Sequence, residues 1–298
     1  MNNCNRRPQG RLLMMAGLLA TLCGTALSPL ATAADAPPVT ASEIAPGLYL
    51  FSGGGGANSS ALIGDEGVLV VDSKLDATSA SAELAAIQEL EASPLRFLIN
   101  THVHPDHTGG NEIYGEAGAV IIGHEDVRAI LAAGQRGGPP APAAALPVLT
   151  FASGSGVTLH LNDETIRVLH VPPAHTADNS IVHFVNANVY QLGDVYSGNR
   201  YPMLAGGTLQ GFIAAVDMVL AETNDSARFI PGNGPVTGRA ELESYRAMLV
   251  STGEQVSQAI SAGKTLEQVT AANPTAAYDA TYGAPERFLS GLYNDLQE

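Results

Sequence analysis

The sequence predicts an α/β domain of two halves, with two sheets packed on each other and helices outside. Three observations carry this. Apolar runs of strand length alternate with segments of helical period in both halves of the chain. Neither a repeat at a period of roughly 20–50 residues nor a mid-chain linker divides it. The composition, 45% hydrophobic and 14% charged over 298 residues, supplies a sizeable core and excludes a disordered chain.

The chain starts with an address. Arg6, Arg7 and Arg11 precede the apolar run Leu12–Leu22, and Ala31-Thr32-Ala33 follows. A positive start, a short apolar stretch and a small-residue cleavage site form a signal peptide, so residues 1–33 are expected to be removed on export. The general secretory route fits better than twin-arginine export, because Pro8-Gln9-Gly10 continues the arginine pair poorly. Cys4 and Cys23 both lie in this leader. The mature chain then has no disulfide, no thiolate nucleophile and no thiolate ligand. Losing three arginines and no acid leaves 11 basic against 29 acidic residues, a net charge of −18. Such a chain repels phosphate backbones and makes nucleic acid a poor partner. No later segment has the length of apolar sequence a membrane span needs.

Residues 34–43 read as a linker, and a single domain over 44–298 follows. Gly47–Phe51, Ala61–Ile63 and Val68–Val71 are strand-like, with Gly64–Gly67 as a turn. Ala80–Leu90 has helical spacing and stops before Pro94. Arg96–Asn100 is a strand, Ala119–Ile122 another, and Glu125–Ala133 a helix. The Gly- and Pro-rich residues 134–147 read as a mobile flap or an excursion. Strands resume at Val157–Leu161, Thr165–Val171, Ile181–Val185 and Val189–Leu192, the last two joined at Asn186-Ala187-Asn188 as a hairpin. Leu209–Ala221 is helical, Ala227–Ile230 a short strand, and the remainder mostly helix.

The chemistry concentrates in Thr101-His102-Val103-His104-Pro105-Asp106-His107. Three imidazoles and a carboxylate follow directly on an apolar strand. In an extended loop His102 and His104 project to one side and can reach one ion, while Asp106 and His107 fall on the next turn. In a chain without mature cysteine this density of imidazole points to a metal, zinc first. His175, Asp194 and Asp72 also stand at the ends of strand segments, the places from which α/β proteins assemble a site.

HxHxDH after a strand, then a His before Thr, then Gly193-Asp194, then a Pro-Gly-x-Gly turn at Pro231–Gly234, resembles the metallo-β-lactamase-fold hydrolase superfamily from about residue 43 to 235, and within it an exported bacterial branch. The resemblance implies a four-layer αββα sandwich with a metal site at one edge of the two sheets. It makes His102, His104 and His175 the first zinc site, Asp106 and His107 part of a second, and Asp194 the bridging carboxylate. One departure stands out. Where the family has Pro-Gly-His-Gly, this chain has Asn233, whose neutral amide oxygen is a far weaker zinc donor. One tightly held zinc and a weakened second site are therefore expected.

Other candidates are peripheral. Asp72 and His124 are expected to support the ligands from behind, with helix capping as the other reading of His124. Arg200 is a candidate clamp for a substrate carboxylate. His160, His170 and His183 lie in strands and read as structural. Gly53–Gly56 lacks the Lys and helix of a phosphate loop and reads as a flexible hairpin over the metal site.

The expected function is an exported, zinc-dependent hydrolase, periplasmic or secreted. It would use metal-activated hydroxide on a small-molecule cyclic amide, lactone, thioester or ester, β-lactams included. Asp106 would act as the catalytic carboxylate. The alternatives are a mononuclear iron oxidoreductase on the same scaffold, and a non-catalytic metal-binding protein. The leader reading is tested on protein recovered from outside the cytoplasm. Its mass should correspond to a chain beginning at Ala34, and an intact Met1 would remove the signal peptide from the account.

Overall fold

Strands that are apolar on both faces set the architecture, because each must be covered twice. In β4, Leu69 and Val71 face one core while Val68 and Val70 face another, and all four are buried. The computed structural model describes residues 38–297 apart from residue 92. The expected signal peptide, both cysteines and the first part of the expected linker lie outside the described residues.

A seven-stranded sheet runs in chain order through β1 (Val39–Ala45), β2 (Leu48–Gly53), β3 (Ser59–Gly64), β4 (Gly67–Val71), β5 (Leu95–Ile99), β6 (Val120–His124) and β7 (Leu149–Phe151). Its first four strands are antiparallel, and β4 to β7 are parallel. The second sheet contains β8 (Gly156–Leu161), β9 (Glu164–His170), β10 (Ser180–Phe184), β11 (Val189–Gly193) and β12 (Arg228–Pro231), in the order β12-β11-β10-β9-β8. It is antiparallel except for the parallel β11–β12 pair. The helices are α1 (Ala77–Leu90), α2 (Pro105–Thr108), α3 (Asn111–Glu116), α4 (Glu125–Ala133), α5 (Leu209–Glu222), α6 (Arg239–Ser261), α7 (Leu266–Ala272), α8 (Asp279–Tyr282) and α9 (Glu286–Asp295). Among the described residues no helix is long and apolar enough to cross a membrane.

Three cores follow from the strand alternation. Leu69, Ile99 and Ile122 of the first sheet meet Val168, Val182 and Phe184 of the second. Val70 and Leu98 pack outward against Ala80 and Ile87 of α1 and Tyr114 of α3. Tyr190, Leu192 and Phe229 pack outward against α5, α6 and α9 through residues such as Phe212, Met248 and Phe288. The order of layers is α, β, β, α.

Side chains fix the helix starts. Asp76 accepts from the Ser79 N–H at 2.8 Å to start α1, and Thr208 from the Gly211 N–H at 2.9 Å to start α5. The β10–β11 connection contains Asn188 at φ +53°, the left-handed conformation Asn tolerates.

Two expectations are corrected. The linker over 34–43 is not a linker at its C-terminal end. Residues 39–45 form the edge strand β1, paired antiparallel with β2 from Val39↔Gly53 onward. Its side chains are largely exposed, so it lacks the apolar alternation that marks a strand in sequence. The expected flap at 134–147 is an excursion anchored at its second half: residues 136–140 are exposed, but Ala145 is buried, its carbonyl accepts from Asn111 Nδ2 at 3.0 Å, and Ala141 N–H donates to Leu131 O at 2.9 Å.

A buried ion pair lies beneath α1. Lys74 and Glu83 are both fully enclosed, with Nζ 3.9 Å from Oε1. Nζ also donates to the carbonyls of Phe51 (2.8 Å) and Ala57 (3.0 Å). Glu83 accepts from Ser59 Oγ and from Tyr114 OH at 2.7 Å. Burial lowers the pKa of Lys74 and raises that of Glu83, so desolvation opposes both charges and the hydrogen bonds offset it. Glu83→Ala would strand the ammonium in the core. Urea denaturation should show a loss of about 3–5 kcal/mol, and a loss under about 1 kcal/mol would mean that Lys74 finds another acceptor.

Candidate metal centre

The sheets deliver their polar residues to one end. Asp72 follows β4, the His102–His107 segment follows β5, His175 lies in the loop after β9, Asp194 follows β11, and Asn233 follows β12. β4–β5 and β11–β12 are both parallel pairs, so within each pair the carboxyl ends open on the same side of the sheet. Backbone bonds join the sheets there: Ser180 N–H donates to Thr101 O at 2.7 Å, and Asn58 N–H to Gly232 O at 2.8 Å. Gly232 is required, since a Cβ there would run into Asp194 Oδ1.

Two overlapping donor sets result. One nitrogen each of His102, His104 and His175 lie within 4.8 Å of one another, as do donor atoms of His102, His107 and Asp194. The first set is the expected first site. The second differs from expectation in including His102, while Asp106 approaches it through Oδ2, 3.7 Å from His107 Nε2. Asp194 faces both sets: Oδ2 is 3.4 Å from His175 Nε2, and Oδ1 is 3.5 Å from His107 Nε2. Such a carboxylate is placed to bridge.

The other ring nitrogens are engaged. His107 Nδ1 lies 2.8 Å from Asp72 Oδ2, and Asp72 also accepts from Thr101 N–H at 2.8 Å. His175 Nδ1 donates to Met203 O at 2.6 Å, which leaves Nε2 a bare lone pair, 2.8 Å from His104 Nδ1. His102 Nε2, His107 Nε2 and Asp194 Oδ1 are buried with no hydrogen-bond partner among the described residues. Three orphaned donor atoms converging in one place would be costly to bury unless an ion binds them. The residues therefore fit a metal.

Charge divides the imidazoles. Burial, reinforced by the neighbouring His107 and His175, holds His102 well below its ordinary pKa, and burial with His175 pushes His104 down to about 4. Both are neutral, as a ligand must be. Burial opposes protonation of His107 as well, but Asp72 and Asp194 outweigh it and raise its pKa. Burial alone would raise Asp194, yet the surrounding histidines, His107 foremost, hold it far below the carboxylate range.

The remaining candidates separate. Asp72 supports His107 directly. Of the two readings of His124 the structure takes capping and not support of the ligands: its ring accepts from Asp126 N–H at 3.2 Å to cap α4, lies 3.1 Å from Ser153 Oγ and is tilted against His170 with ring centres 4.5 Å apart. It touches none of the ligands, because β6 is one strand further out than β5. His170 bonds to Gly154 N–H and Ala177 O, a structural role. Arg200 and Asn233 line a cavity of about 400 Å³ together with Asp106 and Asp194. Gly53–Gly56 all have positive φ and cross the metal loop, where Ala57 N–H donates to Asp106 O at 3.2 Å. Sequence reasoning missed Met203, which contributes only a carbonyl, and the C-terminal Arg287 and Phe288, which line the same cavity.

The weak position is Asn233. Asn233→His adds a nitrogen donor beside Asp194 and Asp106, and should raise zinc retained after mild chelation from near one per chain toward two. Elemental analysis reads this directly. Two tightly held ions in the unaltered chain would show that Asn233 suffices.

Comparison with known proteins agrees with this geometry. The Metallo-beta-lactamase superfamily model matches residues 52–250. A metallo-beta-lactamase from Pontibacter korlensis superposes with a TM-score of 0.62 at 17% identity, covering 72% of this chain and 99% of that one. The DIM-1 metallo-beta-lactamase superposes with a TM-score of 0.60 at 16% identity and the same coverage. The alpha subunit of 2,4-dinitroanisole O-demethylase from Nocardioides sp. (strain JS1661) is 24% identical over 205 residues, 68% of this chain. The chain spans 60% of that relative's length. With more than half its length matched and its histidines gathered at the shared edge of two sheets, the chain belongs to the metallo-beta-lactamase superfamily.

Proposed function

We propose that this chain is a zinc-dependent hydrolase of small acyl substrates and that it acts outside the cytoplasm. The observation that carries the hydrolase reading is the pair of donor sets sharing His102 and faced by both oxygens of Asp194, opening on the cavity lined by Asp106 and Asn233. His102, His104 and His175 would hold the first ion, and His107, Asp194 and Asp106 a weaker second one. When bound, zinc supplies Lewis acidity toward a carbonyl and makes water acidic enough to ionise near neutral pH.

The chain's own groups supply the rest. Asp106 sits in the first turn of α2, bordering the cavity and 38% exposed, free to accept a proton from water on one carboxylate oxygen. Its backbone is held by the Ala57 N–H, which fixes where that carboxylate stands. Asp194 is anionic throughout the working range, because the histidines around it stabilise its charge. It therefore orients ligands and leaves proton transfer to Asp106. No side-chain nucleophile is required, in keeping with a site built of imidazole and carboxylate. The leader pattern supports export, and the acidic balance supports a small molecule over nucleic acid as substrate.

The test is a panel of β-lactams, lactones, thioesters and esters, with an aryl methyl ether added in view of the O-demethylase relative. Elemental analysis of protein purified without added metal accompanies it. Zinc with turnover of an acyl substrate is expected. Iron with no hydrolysis would favour an oxidoreductase. His102→Ala should lose most bound zinc and nearly all turnover, whereas Asp106→Asn should keep the first zinc and slow turnover by about 10²–10⁴-fold. Equal zinc loss in both variants would make Asp106 a ligand and nothing more.

A further inference from the structure

A second cavity, of about 370 Å³, adjoins the metal cavity and shares one lining residue with it, Tyr282. Nothing in the hydrolase reading uses it. Three phenol rings, Tyr196, Tyr278 and Tyr282, line it together with one ionised group, Glu241. Among the described residues no lysine, arginine or histidine contributes to its walls. Those walls come from the loop after Asp194, the start of α6, and α8. The last of these lies beyond residue 250, where the superfamily match ends.

The aromatic walls are held in place by the fold itself. Tyr282 N–H donates to Tyr278 O at 3.0 Å, so the two rings, four residues apart, stand on one face of α8. Tyr196 packs on the buried Tyr245 with ring centres 5.0 Å apart, and Tyr282 on Tyr201 at 5.4 Å. Tyr196 and Tyr282 are themselves buried, so binding has little side-chain freedom left to remove from them. Glu241 caps α6, its Oε2 accepting from Gly238 N–H at 3.0 Å. Among the described residues its Oε1 has no hydrogen-bond or ion-pair partner. Burial raises the pKa of Tyr196 and the Glu241 charge adds to that rise, which places the carboxylate beside the ring.

These walls select the charge of a ligand. A phenol presents a negative face, and a cation over it is attracted by the ring quadrupole. Glu241 adds a full negative charge, and the chain's net −15 reinforces it at longer range. An anion drawn to the start of α6 would meet that carboxylate, and a neutral ligand would leave it unanswered. A primary ammonium needs an acceptor for each of its three N–H groups, which ring faces do not supply. A fully methylated one needs only contact.

We propose that this cavity binds a small quaternary ammonium ligand, its head among Tyr196, Tyr278 and Tyr282 and beside Glu241. The binding depends on neither the metal nor the hydrolase reading.

Choline and 3,3-dimethylbutan-1-ol test it, because the alcohol has the same shape with carbon in place of the charged nitrogen. Titration calorimetry on the protein as purified should show choline binding at least about tenfold more tightly. Glu241→Gln keeps an acceptor for the α6 cap and removes the charge. It should weaken choline about fivefold and leave the alcohol unaffected. Glu254→Gln removes the same charge from an exposed position further along α6, outside the cavity, and should bind choline as the unaltered chain does. Tyr278→Leu should weaken choline about fivefold, whereas Tyr278→Phe should stay within about twofold, since the ring and not the hydroxyl carries the attraction. Should Tyr278→Leu fail to fold, the two glutamate variants, both at exposed positions, decide alone. Equal affinity for choline and the alcohol overturns the proposal, as does an absence of saturable choline binding. Equal losses in Glu241→Gln and Glu254→Gln, or a folded Tyr278→Leu chain that binds choline undiminished, also overturn it. The hydrolase reading stands or falls separately, on metal content and turnover.

Discussion

A metal-binding imidazole serves only with one nitrogen bare and aimed inward, and the rest of this structure depends on how that is secured. At each of two key rings the second nitrogen is occupied: His107 Nδ1 by Asp72, and His175 Nδ1 by the Met203 carbonyl. Asp72 stands at the end of β4 and Thr101 at the end of its neighbour β5, so strand pairing itself sets the 2.8 Å contact that positions both Asp72 and the metal loop. A register slip between these strands would move the carboxylate away from the ring it orients. The hydrophobic alternation that fixes register is therefore also what fixes ligand geometry.

A second line of support comes from the opposite side of the sheet. Lys74 Nζ binds the carbonyls of Phe51 and Ala57 at the two ends of the glycine loop, and Ala57 in turn binds Asp106 through its N–H. The loop passes so close that a Cβ on Gly56 would lie 2.8 Å from Leu75 N and 3.0 Å from Asp106 O. The buried Lys74–Glu83 pair is thus tied to the placement of Asp106 through two backbone groups. Its desolvation costs stability, and the return is one defined path for the loop.

How much of this was legible in the sequence follows from how local each signal is. The two-sheet architecture was readable because apolar strand-length runs such as β4 alternate with helical segments in both halves of the chain. The segment from His102 to His107 was readable because its imidazoles are adjacent in sequence. β1 was not, since an edge strand held by backbone pairing carries little side-chain pattern. The two readings of His124 could not be separated, because a strand-end histidine looks the same whether its strand borders the site or lies one place further out. The Met203 carbonyl and the Lys74–Glu83 pair left no trace, one being backbone and the other a contact made by the loop after β4 folding back on α1. Arg287 lies in a region whose helical pattern was plain, but helical pattern alone does not say which face meets a cavity.

The position of α9 has a consequence for how this protein can change. Arg287 and Phe288 both border the cavity, but Arg287 is exposed there while Phe288 is also buried in the outer core. Successive helical residues point about 100° apart, so a single-residue insertion or deletion within α9 would rotate the faces of the helix on either side of it relative to each other. Point substitutions at the rim leave the core untouched. Evolution can therefore retune this wall residue by residue, whereas length changes inside the helix would misplace its buried face, and lineages sharing the sandwich but differing in substrate should diverge in side chains here before they diverge in helical spacing.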